Sequence, residues 1–159
     1  MTADRAAAPA ATPDAAPAAV VVRTATAADT DGIVAVWDAV FPEYNDPAAP
    51  QRHPRGSIER KLAWDDMLWV AERDGRIVGT VLGGYDGHRG WLYSLAVLPE
   101  LRGLGVARRL VRAAEERLAA EGCPRVNVQV YSHNAEGVAF WETLGYANGP
   151  IFNLARSLL

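Results

Sequence analysis

PELRGLGVARRL, residues 99–110, sets two glycines and three arginines where a helix is about to begin, and Arg112 follows just beyond. A helix N-terminus already carries about half a positive charge, so acids rather than arginines are favoured there. Between Leu101 and Ala114 stand Arg102, Arg108, Arg109 and Arg112 with no acid, while Glu115, Glu116 and Glu121 come late. The polarity is the reverse of what the dipole favours. Gly103 and Gly105 let the backbone approach a ligand where a Cβ would intrude. The free N–H groups of the first helical turn point toward whatever sits in that turn. An anion held by those groups and by flanking guanidinium groups makes the arrangement favourable, and phosphate is the natural candidate. A solvated basic helix face with an ordinary turn is the other reading, and charge pattern alone leaves both open. A dinucleotide fingerprint fits poorly, because Arg108 stands where its third small residue belongs and no following strand ends in an acid. A Walker loop is excluded by the missing Gly-Lys-Ser/Thr ending.

Working outward, WLYSLAVL before this stretch reads as a strand, and residues 104–120 read as a helix with Ala107, Leu110, Val111, Ala114 and Leu118 on one face. RVNVQVY, residues 125–131, alternates apolar and polar residues as a strand should. Asn134 caps a helix that stops at Gly145. Further out, MLWVAER and RIVGTVLGGY flank Asp74-Gly75, a strong hairpin signal. Residues 20–24 predict a first strand. Thr26 and Asp29 form a capping-box-like start for a helix carrying Ile33, Val36, Trp37 and Val40. Prolines 42, 47, 50 and 54 make 41–56 a long loop, Ser57 caps a short helix, and 150–156 predict a last strand. The order β-α-α-β-β-β-α-β-α-β implies an α/β fold, a mixed sheet with helices on its faces.

With 159 residues, 50% hydrophobic and 22% charged, the chain suits one domain with a sizeable core. Ala/Pro-rich residues 1–18 predict a disordered tail, leaving 19–159 as the single domain. A net charge of −3 and a pI near 5.6 argue against a general nucleic-acid binder. Cys123 is the only cysteine, so no intrachain disulfide can form and a reducing cytoplasm is expected. No apolar run approaches the roughly 18 residues that span a membrane. His53, His88 and His133 share no metal-like spacing with one another or with Cys123, so no metal is expected.

Two segments carry a resemblance. VLPELRGLGVARRL resembles the acetyl-CoA signature of GNAT-type N-acetyltransferases, Arg/Gln-x-x-Gly-x-Gly/Ala, met by Arg102, Gly105 and Ala107. NAEGVAFWETLGY is similar to the family's second segment, an Asn-initiated helix ending in an aromatic, Leu-Gly and Tyr or Phe. The similarity spans about residues 20–156, and YNDP, IERK, GGYDGHRG and GCP bring it nearest the bacterial YpeA-like branch. It implies the GNAT fold, in which two parallel strands splay apart and helices cover both faces. It also implies acetyl-CoA as cofactor, with its pyrophosphate on the backbone of Arg102, Gly103, Leu104, Gly105, Val106, Ala107 and Arg108. The pantetheine arm would pair with Leu95, Ala96 and Val97, with Asn134 reaching its side.

The implied reaction is direct attack of a primary amine on the thioester, the amine being a protein or peptide N-terminus or a small molecule. The carbonyl would be polarised by a backbone N–H, that of Val97. Many relatives carry an acidic Tyr where this chain has Trp141, whose indole is no usable acid, so Trp141 is expected to pack beside the thiol arm or in the core. Tyr93, Tyr131 or water then remain as proton donors, and a thiolate can also leave unaided. Glu72, beside the hairpin turn, is the carboxylate considered as base, against a solvated hairpin charge. Asp46, Glu59, Asp86 and His88 are considered for the acceptor side, against loop-shaping and surface roles. Homodimers are common among such proteins, and neither a membrane nor a nucleic acid is expected as partner. The missing tyrosine leaves a second reading, a non-catalytic acyl-CoA binding or sensing domain.

Overall fold

The structure is a computed structural model that describes residues 19–150 and 154–156. The expected tail, residues 1–18, lies outside the described residues. Among the described residues, five strands form one sheet in the order β1-β2-β3-β4-β5: β1 (Val21–Thr24), β2 (Leu68–Arg73), β3 (Arg76–Tyr85), β4 (Gly90–Val97) and β5 (Val126–Val128). Neighbours run antiparallel except β4 and β5, which are parallel. The helices are α1 (Thr30–Val40), α2 (Pro54–Trp64), α3 (Val106–Ala120) and α4 (Ala135–Glu142).

The hairpin expected at Asp74-Gly75 forms, with Arg73 paired to Arg76 and positive φ of 53° and 72° at the two turn residues, as a type I′ turn requires. Successive strand residues face opposite sides. Thr80 faces α1, where the Trp37 indole Nε1 donates to its hydroxyl at 2.9 Å. Gly79 faces α3: a Cβ there would lie 3.2 Å from Leu110 Cδ1 and 2.9 Å from the Ala96 carbonyl, so the strand and helix close over hydrogen. Helices on both faces bury Ile33, Val36 and Trp37 from α1 and Val106, Leu110, Val111, Ala114 and Leu118 from α3. Each such side chain removed from water stabilises the fold by roughly 1.5–3 kcal/mol for Val, Leu or Ile.

Local chemistry accounts for the boundaries. α2 starts at Pro54, three residues before the expected Ser57, because proline's fixed φ and missing N–H suit a first helical position. The Thr26 N–H donates to Asp29 Oδ2 at 2.8 Å, so the expected box closes, on a short 3-10 turn (Ala27–Asp29) that leads into α1. At the same place Arg23 bridges two acids, Asp29 and Glu72, each at 2.7 Å. This ties β1 to β2 and to the start of α1. The strand expected over 125–131 shortens to Val126–Val128. Of the strand expected over 150–156, residues 151–153 lie outside the described residues, and Leu154–Arg156 belong to no strand.

Candidate functional site

β4 leads through a 3-10 turn, Pro99–Leu101, to Gly103 and Gly105, whose φ of +77° and +76° belong to the left-handed region. Gly105 is the N-cap of α3 and has no side chain to cap it, so among the described residues no capping side chain meets the first-turn N–H groups of this 15-residue helix. A Cβ at either glycine would meet nothing within 4 Å, so the space beside the turn is open and conformation alone requires glycine. The arginines divide by position. Arg112 pairs with Glu116, and Arg117 with Asp66 and Glu121, whereas among the described residues no carboxylate pairs with Arg102, Arg108 or Arg109. Open N–H groups flanked by cations without carboxylate partners suit a diphosphate.

From this turn a groove of about 830 Å³ runs between β4 and β5. The parallel pairing covers Gly90–Leu92 against Val126–Val128 and then ends, while β4 continues to Val97. Among the described residues, β4 therefore has no strand neighbour on that side past Leu92. It bulges there as well: Thr80 pairs with Ala96 and Leu82 with Tyr93, so β4 holds one more residue than β3 over this span. The extra residue comes with Ser94 at φ +47°, an uncommon conformation for a side chain other than glycine's.

The opposite end of the groove is built from hydroxyls and rings. Tyr44, from the 3-10 turn Pro42–Asn45 after α1, shares a 3.1 Å hydrogen bond with Ser94 Oγ. Tyr93 stacks beside Trp91, and Tyr131 beside His133. Burial raises the Tyr44 hydroxyl above its ordinary pKa, opposed by its bond to Ser94. Burial, with the nearby Asp86 charge, raises Tyr93 too. Both therefore stay protonated at neutral pH. Trp141 lines the groove and also packs edge-on against Phe140 and Tyr146, so groove wall and core aromatic are one role. Tyr146 anchors α4 to α3 through a 2.7 Å bond to Glu115, and Arg108 reaches Thr143 at 3.3 Å.

Of the residues singled out in the sequence, Tyr93, Leu95, Val97, Arg102, Gly103, Gly105, Val106, Ala107, Arg108, Tyr131, Asn134 and Trp141 line this groove. Asn134 Oδ1 also accepts from the Gly137 N–H at 2.9 Å, which caps α4. Ala96 and Leu104 are outside the lining. Ala96 is buried on the α1 face, and Leu104 points outward, 64% exposed.

The candidate acids are placed elsewhere. Glu72, considered as base, lies on β2, two strands from β4, and is held by Arg23. Asp46 accepts from the Ala48 N–H at 2.9 Å and shapes its own turn. Glu59 lies on α2, 4.0 Å from Arg55. Asp86 Oδ1 accepts from the His88 and Arg89 N–H groups at 2.8 and 2.7 Å, which holds its carboxyl below the usual range and fixes the loop that carries His88. None of these five residues lines the groove. Sequence reading missed Phe41, Glu43, Tyr44 and Glu136, which do line it, and the bulge at Ser94. The clustered prolines marked the segment that carries Tyr44, and nothing local marked its partner. Among the described residues no group of three or more His, Cys, Asp or Glu could hold a metal, and no helix is long and apolar enough to cross a membrane.

Solved structures share this architecture. The aminoglycoside N-acetyltransferase AAC(6')-Iy in complex with CoA superposes with a TM-score of 0.75 at 17% identity, over 92% of this chain and 99% of that one. Glucosamine-6-phosphate N-acetyltransferase from Arabidopsis thaliana gives 0.66 at 17% identity, over 88% and 99%. A transcriptional regulator from Bacillus halodurans C-125 gives 0.68 at 20% identity, over 88% and 100%. At these identities the likeness is one of fold. The sequence model of the acetyltransferase (GNAT) family matches residues 33–146, from α1 through the glycine turn and the groove to Tyr146. The chain belongs to the acetyltransferase (GNAT) family, whose acyl donor is acetyl-CoA.

Proposed function

We propose that this chain transfers an acetyl group from acetyl-CoA to a primary amine, a protein or peptide N-terminus or a small amine, by direct attack. The observation that carries the reading is the uncapped α3 N-terminus behind two left-handed glycines, opening onto the groove between the parted strands. Acetyl-CoA supplies an activated thioester when bound. The turn from Arg102 to Arg108 holds its diphosphate through backbone N–H groups, with guanidinium groups alongside. The unpaired side of β4, Leu95 to Val97, offers backbone groups to its amide-bearing arm, which satisfies both at once.

Tyr44, Ser94, Tyr93 and Tyr131 form the end of the groove where the amine is received. Their hydroxyls orient the nitrogen. As the N–C bond forms and the C–S bond breaks, the amine's proton passes to water and the thiolate takes one from Tyr93, Tyr131 or water, a donation that Trp141 cannot make because its indole is no usable acid. The names of the solved neighbours, aminoglycoside and glucosamine-6-phosphate acetyltransferases, are consistent with a small amine acceptor. The similarity of YNDP, IERK and GGYDGHRG supports a place in the bacterial YpeA-like branch, and the single cysteine supports a cytoplasmic setting. A homodimer belongs to the same reading, by family resemblance.

The test is release of free thiol from acetyl-CoA across a panel of peptides, polyamines, amino acids and aminoglycosides. Acceptor-dependent release is expected from at least one class. Tight acetyl-CoA binding with no release across the panel would identify a binding or sensing domain instead.

A further inference from the structure

A relay of buried side chains ends on the bulge. The Trp37 indole Nε1 donates to Thr80 Oγ1 at 2.9 Å, and Thr80 Oγ1 donates in turn to the Ser94 carbonyl at 3.1 Å. Thr80 is fully buried and Trp37 1% exposed, so water cannot replace the bond between them. One hydroxyl, acting as acceptor and donor at once, joins α1, β3 and the one residue of β4 in a left-handed conformation.

The bulge governs which groups of β4 face where. In a regular strand Leu92 and Ala96 would share a face, and Tyr93 and Val97 the other. The register places Tyr93 and Ala96 together on the Thr80 face, opposite Leu82 and Thr80. It places Leu92 and Val97 together on the α3 face, opposite Gly83 and Gly79. One extra residue thus reverses every side chain beyond Ser94. Serine at φ +47° is held against its own preference, so something nearby must stabilise it.

We propose that Thr80 is a positioning residue for the acetyl-donor groove. Its hydroxyl, oriented by Trp37, holds the Ser94 carbonyl and so keeps β4 bulged, which presents the backbone of Leu95 to Val97 to the groove. The ligand readout rests on the function proposed above, while the backbone readout does not.

The test is Thr80→Val, which keeps the shape and removes the hydroxyl, followed by CoA titration calorimetry and by NMR shifts and amide coupling at Ser94. The expected result is CoA binding about tenfold weaker, the scale of one lost buried hydrogen bond, with Ser94 leaving the left-handed region. Thr80→Ser should restore both. Adding Ser94→Gly to Thr80→Val should recover most of the affinity, because glycine adopts positive φ without help. A hydroxyl that merely stabilises the core would give no such rescue. Wild-type affinity with Ser94 still left-handed in Thr80→Val, or no recovery in the double variant, overturns the proposal. Absence of CoA binding by the wild type would defeat the proposed function instead, and the Ser94 signals would still decide the relay.

Discussion

The two ends of the groove are made of different material. At the α3 end the work falls to backbone: two glycines, a run of N–H groups and flanking arginines, all within residues 102–108. At the other end it falls to side chains drawn from the turn after α1, from the β4 bulge and from the segment after β5. Tyr44 and Ser94 meet across 50 positions of sequence. A site made of backbone depends on local conformation and is written in one continuous stretch. A site made of side chains depends on tertiary placement. On the proposed function, the first recognises what every peptide-like or phosphate-bearing arm offers, and the second receives the amine.

The largest effect should come from breaking the backbone end. Gly105→Glu forces a side chain into φ +76° and places a carboxylate where an anion is held, so CoA affinity should fall about 100-fold or more. Calorimetry on a variant shown folded by circular dichroism checks this, and unchanged affinity would remove the turn from the site. Tyr44→Phe should give the converse pattern. The acceptor kcat/KM should fall about tenfold while CoA affinity stays within about twofold, since only a hydroxyl at the far end is lost. Equal damage to both constants would mean that the two ends are not separable.

The smallest effect on the groove should come from the Arg23 cluster on β1. Hydrogen bonding to Arg23 lowers the Asp29 carboxyl from 3.8 to about 2. A depressed native pKa stabilises the fold above pH 4, and that contribution is lost as pH falls from about 4 to about 2. Asp29→Asn should therefore lower stability at neutral pH by about 1–2 kcal/mol and flatten the acid limb of a denaturation series, with CoA affinity at pH 7 unmoved. A steep acid limb retained in the variant would assign that limb to other carboxylates.

Much of this division was visible in advance. The hairpin, the helix faces and the glycine turn were readable because each rests on neighbours a few residues apart. The candidate acids that lie off the groove share one trait. Glu72, Asp46 and Asp86 are carboxylates near turns, and each is consumed by a partner close at hand: an arginine on the next strand, or N–H groups of its own loop. Ser94 was unreadable because nothing in SLAV announces a bulge. The bonds that reach it come from elsewhere in the chain: Thr80 on the neighbouring strand holds its carbonyl, and Trp37 of α1 donates to Thr80. Trp141 was readable as an absence of acid, and the hydroxyl bonded to Ser94 Oγ is on a residue, Tyr44, that local pattern placed only in a loop.

The bridge from Arg23 to Asp29 and Glu72 has a consequence for life in a crowded solution. β1 closes one margin of the sheet and, among the described residues, pairs only with β2. A bare margin offers its free amides and carbonyls to any other extended chain, which is how orderly folds begin to aggregate. Here that margin is four residues long, and one of them, Arg23, is fixed between Asp29 and Glu72. A second strand docking alongside would find few free backbone groups and a charged residue among them. The same ions that fasten the first strand in place thus make it a poor template for a stranger.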